Sequence, residues 1–181
     1  MPGPSPTRAC LVVSLLAASE EPRAEAVRRL ARRWGAVDYL SQPLAFPGGG
    51  YYQAEMGSPL TRRLLAFRQP VGLDELGPAK LACRSLEADL AQEGRRSVNL
   101  DPGLLTGDSL VLASTKYTGH RLPLDPGSGL WQELTLWYRQ GCYQALPWTY
   151  PDYAGQELRE IMSGLRRRHL WRLRQAAAQG G

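Results

Sequence analysis

A chain of 181 residues that is 43% hydrophobic and 22% charged is long enough to bury the core of one folded domain, and its composition excludes a disordered or fibrous protein. The net charge of +5 is uneven: after Ala154, Arg159, Arg166, Arg167, Arg168, Arg172 and Arg174 face only Glu157 and Glu160, so the body is nearly neutral. That distribution does not fit a uniformly basic nucleic-acid binder, and no apolar run approaches the ~20 residues of a bilayer span.

The opening "MPGPSPTR", residues 1–8, reads as a disordered lead-in. "ACLVVSLLA" is a continuous apolar run of strand length. It also has the shape of a secretory h-region, but only Arg8 supplies the charge, and Val12 and Val13 suit a strand. Ser19 stands where it can cap the next helix, with Glu20 and Glu21 in its first turn. Ala24, Val27, Leu30, Ala31 and Trp34 fall on one face of that helix, and Gly35 closes it. "VDYLSQPLAF" is a second strand, "PGGGYYQAEMGSP" a loop and "TRRLLAFRQPV" a third strand. The clearest helix follows, with Leu76, Ala79, Cys83, Leu86 and Leu90 as its apolar stripe, Asp74 as a cap and Gly94 at its end. "RRSVNL" is a fourth strand, stopped by a turn at "DPG". The order β-α-β-β-α-β predicts an α+β fold with a ferredoxin-like core, two helices on one face of an antiparallel sheet.

"LLTGDSLVLAST" permits a short helix or a buried strand. Its apolar residues do not alternate, and the helix is preferred. "HRLPL", "DPGSG" and "LWQELTLWYR" form a hairpin, and "CYQALPW" adds the third strand of a β-meander. A basic C-terminal helix starts near Gly155. The chain therefore divides into the lead-in 1–8, one α+β domain 9–153 and a basic helix or tail 154–181. The charge and the glycine end of that tail make it dispensable for folding from about residue 160.

Nucleotide loops of the G-x-x-x-x-G-K-[ST] or G-x-G-x-x-G order are absent, as are H-E-x-x-H metal signatures and G-x-S-x-G elbows. Cys10, Cys83 and Cys142 are scattered and odd in number, which argues against a zinc ribbon or a disulfide framework and for a reducing, cytoplasmic compartment. No cofactor is indicated and no oligomeric state follows.

The polar residues gather at "ASTKYTGHR". Arginine outnumbers lysine 20 to 2 in this chain, so Lys116 stands out, and so does His120 as one of two histidines. If Leu124 opposes Leu130, Arg121 lies opposite Glu133 and His120 opposite Leu134. Trp131, Glu133, Thr135, Trp137 and Arg139 then share one strand face, while His120 projects with the leucines of the other. The plain reading is a cross-strand ion pair and a histidine at the core edge. The functional reading is a pocket in which Lys116 and Arg121 hold an anion, Ser114 and Thr115 donate to it, and Trp131 and Trp137 stack a base. His120, Glu133 or Asp101 would carry a proton, with Glu55 and Asp152 nearby. "LPWTYPDY" is a stiff strap over the sheet edge with Trp148 buried, or an aromatic wall for a ligand, and Asp152 caps the last helix.

"YYQAEMG", "VNLDPG", "LASTK", "HR" and "LPWTYPDY", in this order and spacing, resemble the bacterial family called domain of unknown function 4416 over about residues 9–153. Leu104 stands where that family favours an aromatic residue. The resemblance implies an intracellular bacterial protein and supplies no reaction. Two expectations follow from the residues. One is binding, or turnover, of a small anionic or phosphate-bearing ligand. The other is a nucleic-acid-binding or interaction module that uses the basic tail, with RNA as a partner, and the tryptophan-bearing strand.

Overall fold

The structure, a computed structural model, describes residues 7–46, 50–125 and 127–179. In chain order its elements are β1 (Arg8–Ala17), α1 (Glu20–Trp34), β2 (Val37–Leu40), β3 (Leu44–Ala45), α2 (Gly50–Met56), β4 (Thr61–Phe67), β5 (Val71–Gly72), α3 (Leu76–Asp89), β6 (Val98–Leu105), β7 (Ser109–Ser114), β8 (Leu122–Asp125), β9 (Leu130–Arg139), β10 (Cys142–Ala145), α4 (Pro151–Ala154) and α5 (Gln156–Gln179). The mixture of helices with antiparallel strands makes the chain α+β. Of the expected lead-in, residues 1–6 lie outside the described residues, and Arg8 already belongs to β1. The chain divides into two compact units, one of Val12–Gln69 and Gly77–Pro102, the other of Met1–Leu11, Pro70–Leu76 and Gly103–Gly181.

In the first unit the strand order is β6–β1–β4–β2. β4 runs antiparallel to β1, with Val12 opposite Ala66 and Ala17 opposite Thr61. Every residue of β1 from Ala9 to Ala17 is buried, which explains an apolar run without alternation. The single second strand expected over residues 37–46 is two short strands. Pro43 has no N–H to give a ladder, and Ser41 bridges the break: its N–H donates to the Leu64 carbonyl, and its Oγ accepts from the Leu64 N–H, both at 2.9 Å.

α1 turns a different face inward from the one its apolar spacing suggests. Ser19 makes no side-chain cap. Arg23 is buried instead and donates to the Ala17 carbonyl at 2.9 Å, to Thr61 Oγ1 at 2.5 Å and to Glu20 Oε2 at 2.6 Å. Ala26 and Leu30 are buried beside it in sequence, while Val27 and Trp34 are half-buried. The segment expected as a loop around "YYQAEM" is the helix α2, and its residues 47–49 lie outside the described residues. Its Met56 joins Leu16 and Leu60 in an apolar cluster flanked by Phe46 and Tyr52. Those contacts outweigh the glycines that precede them.

α3 carries its stripe as expected. Leu76, Ala79, Cys83 and Leu86 are buried, and Leu90, just past the helix, is half-buried. Asp74 sits in a short 3-10 turn, Leu73–Glu75, which makes no side-chain cap. Burial pushes the Cys83 thiol up to about 12, which makes it unreactive in the folded state. Leu86→Ala is expected to lower the unfolding free energy by about 2–5 kcal/mol, the cost of a leucine-sized cavity. Urea titration measures this directly, and a loss on the order of 0.5 kcal/mol, typical of surface sites, would contradict it.

The second unit corrects the reading of residues 101–115. "DPG" does not stop a strand: β6 passes through it to Leu105. Gly103 is required there by space. A Cβ would stand 2.6 Å from Leu112 Cδ2 and 3.0 Å from the Val111 carbonyl on the neighbouring strand. The short helix expected over residues 104–115 is a tight hairpin between β6 and β7. Thr106 closes it, donating its N–H to the Ser109 carbonyl at 2.9 Å and accepting at Oγ1 from the N–H groups of Asp108 and Ser109 at 3.1 Å. Its apolar residues fail to alternate because most of them are buried on both faces.

The strands of this unit follow the order β10–β9–β7–β6, with β8 paired to β9. Leu122 pairs with Gln132 and Pro123 with Trp131, the register expected from the sequence. A shift then sets Asp125, not Leu124, opposite Leu130. A second irregularity matters more. Val111 pairs with Leu134 and Leu110 with Leu136, so Thr135 is an extra residue in β9. One inserted residue exchanges the faces of everything beyond it. Trp131 and Glu133 share a face as expected, but Trp137 falls on the side of Leu134. Both are exposed, while Glu133 and Thr135 are buried.

The C-terminal helix is a working part of this unit. Leu158, Met162, Leu165 and His169 of α5 are buried. Arg166 donates Nε to the Gly107 carbonyl at 2.5 Å and lies over the Tyr138 ring at 3.5 Å. Tyr143, fully buried, donates to the Thr106 carbonyl at 2.9 Å. This burial contradicts the expectation of a dispensable tail from residue 160: the charge of the helix does not keep Met162, Leu165 and His169 from packing, and Arg166 itself docks. Burial holds the His169 imidazole below its usual 6.5, against a bond with the Arg8 backbone and with the help of Arg172. A lowered folded value means that His169 supports the fold fully above 6.5 and loses that support as pH falls through 6.5 towards the folded value. Thermal melts of the native protein are therefore expected to lose stability as the pH is lowered through 6.5, and His169→Gln to reduce that slope.

Candidate functional site

The second unit holds a polar network built on one buried carboxylate. Glu133, only 2% exposed, lies on β9 immediately before the bulge. Its Oε2 accepts from Arg121 Nε at 2.8 Å and from His120 Nε2, also at 2.8 Å. The turn Thr118–His120 precedes β8, so His120 is not bound by strand alternation. This reverses the expectation that it points away with the leucines. The carboxylate makes Nε2 a donor, and the other ring nitrogen, Nδ1, is not bonded to Glu133. Thr118 Oγ1 lies 3.2–3.4 Å from the two ring nitrogens.

Arg121 is 6% exposed and ties the network together. Its Nη1 donates to Ser114 Oγ and to the Lys116 carbonyl, both at 2.7 Å, and its Nη2 to the Tyr150 hydroxyl at 3.2 Å. Burial alone would lower the guanidinium; the bonds to Glu133 and Tyr150 outweigh it and raise it above its usual value. With these donors committed, Arg121 acts from inside. Ser114 is engaged as well, accepting from Arg121 and from the Lys116 N–H at 3.1 Å. Thr115 and Lys116 are exposed. The Lys116 side chain therefore starts from a turn anchored to Arg121 and extends outward.

The strap "LPWTYPDY" meets the bulge. Trp148 Nε1 donates to the Leu134 carbonyl at 2.8 Å, and Thr149 Oγ1 to the Thr135 carbonyl at 2.6 Å. On this stretch of β9 neither β8, which pairs as far as Gln132, nor β10, which pairs from Leu136, provides a strand partner, and the strap supplies the bonds. Trp148 is 38% exposed rather than buried, and its indole stacks on His120, with centroids 5.2 Å apart and planes 13° apart. Asp152 does not cap α5, which starts at Gln156; it sits in α4 and accepts from the Tyr153 N–H at 2.8 Å. Tyr117 covers Trp131, with centroids 4.7 Å apart, and Arg139 lies over Trp137 at 4.4 Å. The structure brings Ser114, Lys116, His120, Arg121 and Glu133 together. It gives Trp137 to the other face of β9. Tyr150, Trp148 and Thr118 join the network without having been singled out as site residues, although the strap itself was legible.

Asp101 and Glu55 belong to a separate network in the first unit. Lys80 Nζ donates to Asp101 Oδ1 at 2.9 Å, and Asn99 donates to Asp101 Oδ2 at 2.7 Å. Arg96 donates to both Glu55 oxygens, at 2.8 and 2.6 Å, and to Asn99 Oδ1 at 2.9 Å. Burial would raise the Asp101 carboxyl, but the Lys80 charge and the donors from Lys80 and Asn99 prevail and hold it below the usual range. Glu87, buried and accepting from the Leu100 N–H at 2.5 Å, is raised because desolvation prevails there. Lys80 had a signal in the sequence. It is the other lysine of an arginine-rich chain, on the helix turn that buries Ala79 and Cys83.

Among the described residues no cluster of histidine, cysteine and acidic side chains could hold a metal ion, and no helix is long and apolar enough to cross a membrane. No curated protein matches the chain, and no solved structure matches it. A family model, described as a domain of unknown function, matches residues 7–169. That span takes in both polar networks and the first half of α5, and the chain belongs to the domain of unknown function 4416 family.

Proposed function

We propose that this protein binds a small phosphate-bearing ligand on the surface around His120, with Lys116 and His120 meeting the anion and Trp148 and Tyr150 forming an aromatic wall. The observation that carries the reading is the state of His120. Its imidazole is held by the buried Glu133, stacked on Trp148, and still 28% exposed. A histidine fixed on two sides and open on the third is preorganised for a ligand. The Glu133 charge is matched by Arg121, so Lys116 gives the outer surface a positive balance. Arg121 serves this site as a positioning residue. His120 is also the group suited to proton transfer near neutral pH, with Nδ1 facing away from Glu133.

Two further readings go with this one. The strand order β6–β1–β4–β2, with α1 and α3 as connections, supports a ferredoxin-like core in the first unit. The exposed Cys142 thiol suits a reducing compartment, which supports a cytoplasmic location.

Thermal unfolding in the presence of inorganic phosphate and of adenosine monophosphate tests the ligand reading. A ligand at 100 times its Kd adds about 2.7 kcal/mol to stability. The melting temperature is expected to rise with either probe, and the rise to disappear in the Lys116→Gln, His120→Gln double variant. Equal protection in both proteins, or none in the native protein at millimolar probe, would refute it.

A further inference from the structure

The outward side of α5 carries features that the His120 site does not use. From Ile161 to the end of the chain there is no acidic residue. Arg167, Trp171 and Arg174 are spaced four and three residues apart and so stand on one side of the helix. Arg168, three residues before Trp171, flanks them. All four are exposed, and Trp171 is 58% exposed. With Arg166 and Leu170 they line an open recess of about 510 Å³, inside the range of about 300–1,000 Å³ typical of small-ligand clefts. A tryptophan left in water amid guanidinium groups is a costly surface for a helix that already buries Leu158, Met162, Leu165 and His169 on its other side.

We propose that this stripe binds single-stranded nucleic acid, with Trp171 stacking on one base and Arg167, Arg168 and Arg174 holding the flanking phosphates. The arginines and the indole each select for this occupant. Guanidinium groups pair with phosphate in planar, bidentate fashion. An indole face takes any unstacked base, which a duplex does not offer. From Arg167 to Arg174 the helix rises about 10 Å, at roughly 1.5 Å per residue, so the cations follow a strand and do not converge on a single ion. A lipid surface suits the stripe less well. Amphipathic helices insert through a broad apolar side, and the apolar side of α5 is buried in its own unit. An acidic peptide would satisfy the arginines and leave Trp171 without a counterpart.

Fluorescence anisotropy with labelled oligouridine and oligothymidine tests the proposal on the full chain. Binding is expected at low salt, with log K falling against log salt at a slope of about −2 for three phosphate contacts on a single strand. Trp171→Ala is expected to weaken binding on the order of tenfold or more, the usual cost of losing a stacked base. Arg167→Gln with Arg174→Gln should flatten the slope. Lys116→Gln should change neither, which separates this stripe from the His120 site. Melting curves for the two α5 variants should match the native protein, because the altered side chains are exposed. A preference between the two oligonucleotides identifies RNA or DNA as the partner. Binding that ignores Trp171→Ala, absence of binding at low salt, or Trp171-dependent capture by phosphatidylserine vesicles in place of the oligonucleotides would each overturn the proposal.

Discussion

Glu133→Ala is expected to lower the unfolding free energy by about 3–5 kcal/mol, the cost of leaving a buried partner charge uncompensated. The partner is Arg121, 6% exposed and bonded through Nε to the missing carboxylate. His120 would lose its anchor at the same oxygen. Arg121 cannot shed its proton to escape, because a guanidinium remains charged at any accessible pH. It would have to swing out, breaking its bonds to Ser114, Lys116 and Tyr150. The double variant Glu133→Leu, Arg121→Met removes both charges at similar volume and is expected to recover most of the loss, since apolar replacement of a whole buried pair is often neutral. Denaturant titrations of the two variants measure both effects. A single variant as stable as the native protein, or a double variant less stable than the single, would contradict the view of Glu133 as the centre of the network.

Truncation after Ser163 is expected to cost at least the about 2–5 kcal/mol of one buried leucine. It removes Leu165 and His169, both 3% exposed, together with Arg166 and its contacts to Gly107 and Tyr138. Tyr138 would lose that covering cation while keeping its edge contact with Tyr143, with centroids 5.2 Å apart. Calorimetry of the truncated chain should show an earlier or broader transition. A transition unchanged from the native protein would mean that α5 beyond Ser163 is only solvated. Truncation after Gln175 removes the exposed residues 176–179 together with the two terminal glycines and is expected to leave the melt unaltered.

These outcomes bear on what a single sequence discloses. The stripe on α3 was legible because five apolar residues repeat at helical spacing, and the ion pair of Arg121 with Glu133 was legible because hairpin register follows from loop length. Three kinds of feature were hidden. Arg23 is a charged residue at a buried position, and a pattern of apolar residues assigns charge to the surface. Thr135 is a bulge, and nothing local marks a residue that is skipped by its neighbours. The tail hid its buried side behind its arginines, since net charge averages over a helix whose two sides differ. "DPG" misled for another reason. Turn chemistry is a local preference, and the close approach of β7 to Gly103 is a tertiary demand that overrides it.

The division of the chain has a consequence for synthesis. The first unit draws on nothing beyond Pro102, whereas the second joins a segment ending at Leu11 and the short stretch Pro70–Leu76 to one that begins at Gly103 and includes α5. A chain leaving the ribosome can complete the first unit while the second holds only its opening segment, paired to β5 through Arg8 with Gly72 and Ala9 with Val71. The Arg8 backbone waits for His169. Domains tend to fold as units in the order they emerge, so the start of β1, up to Leu11, settles after the rest of that strand. Until α5 is made, the second unit exposes Tyr143 and the hairpin at Thr106 to whatever chaperone attends the nascent chain.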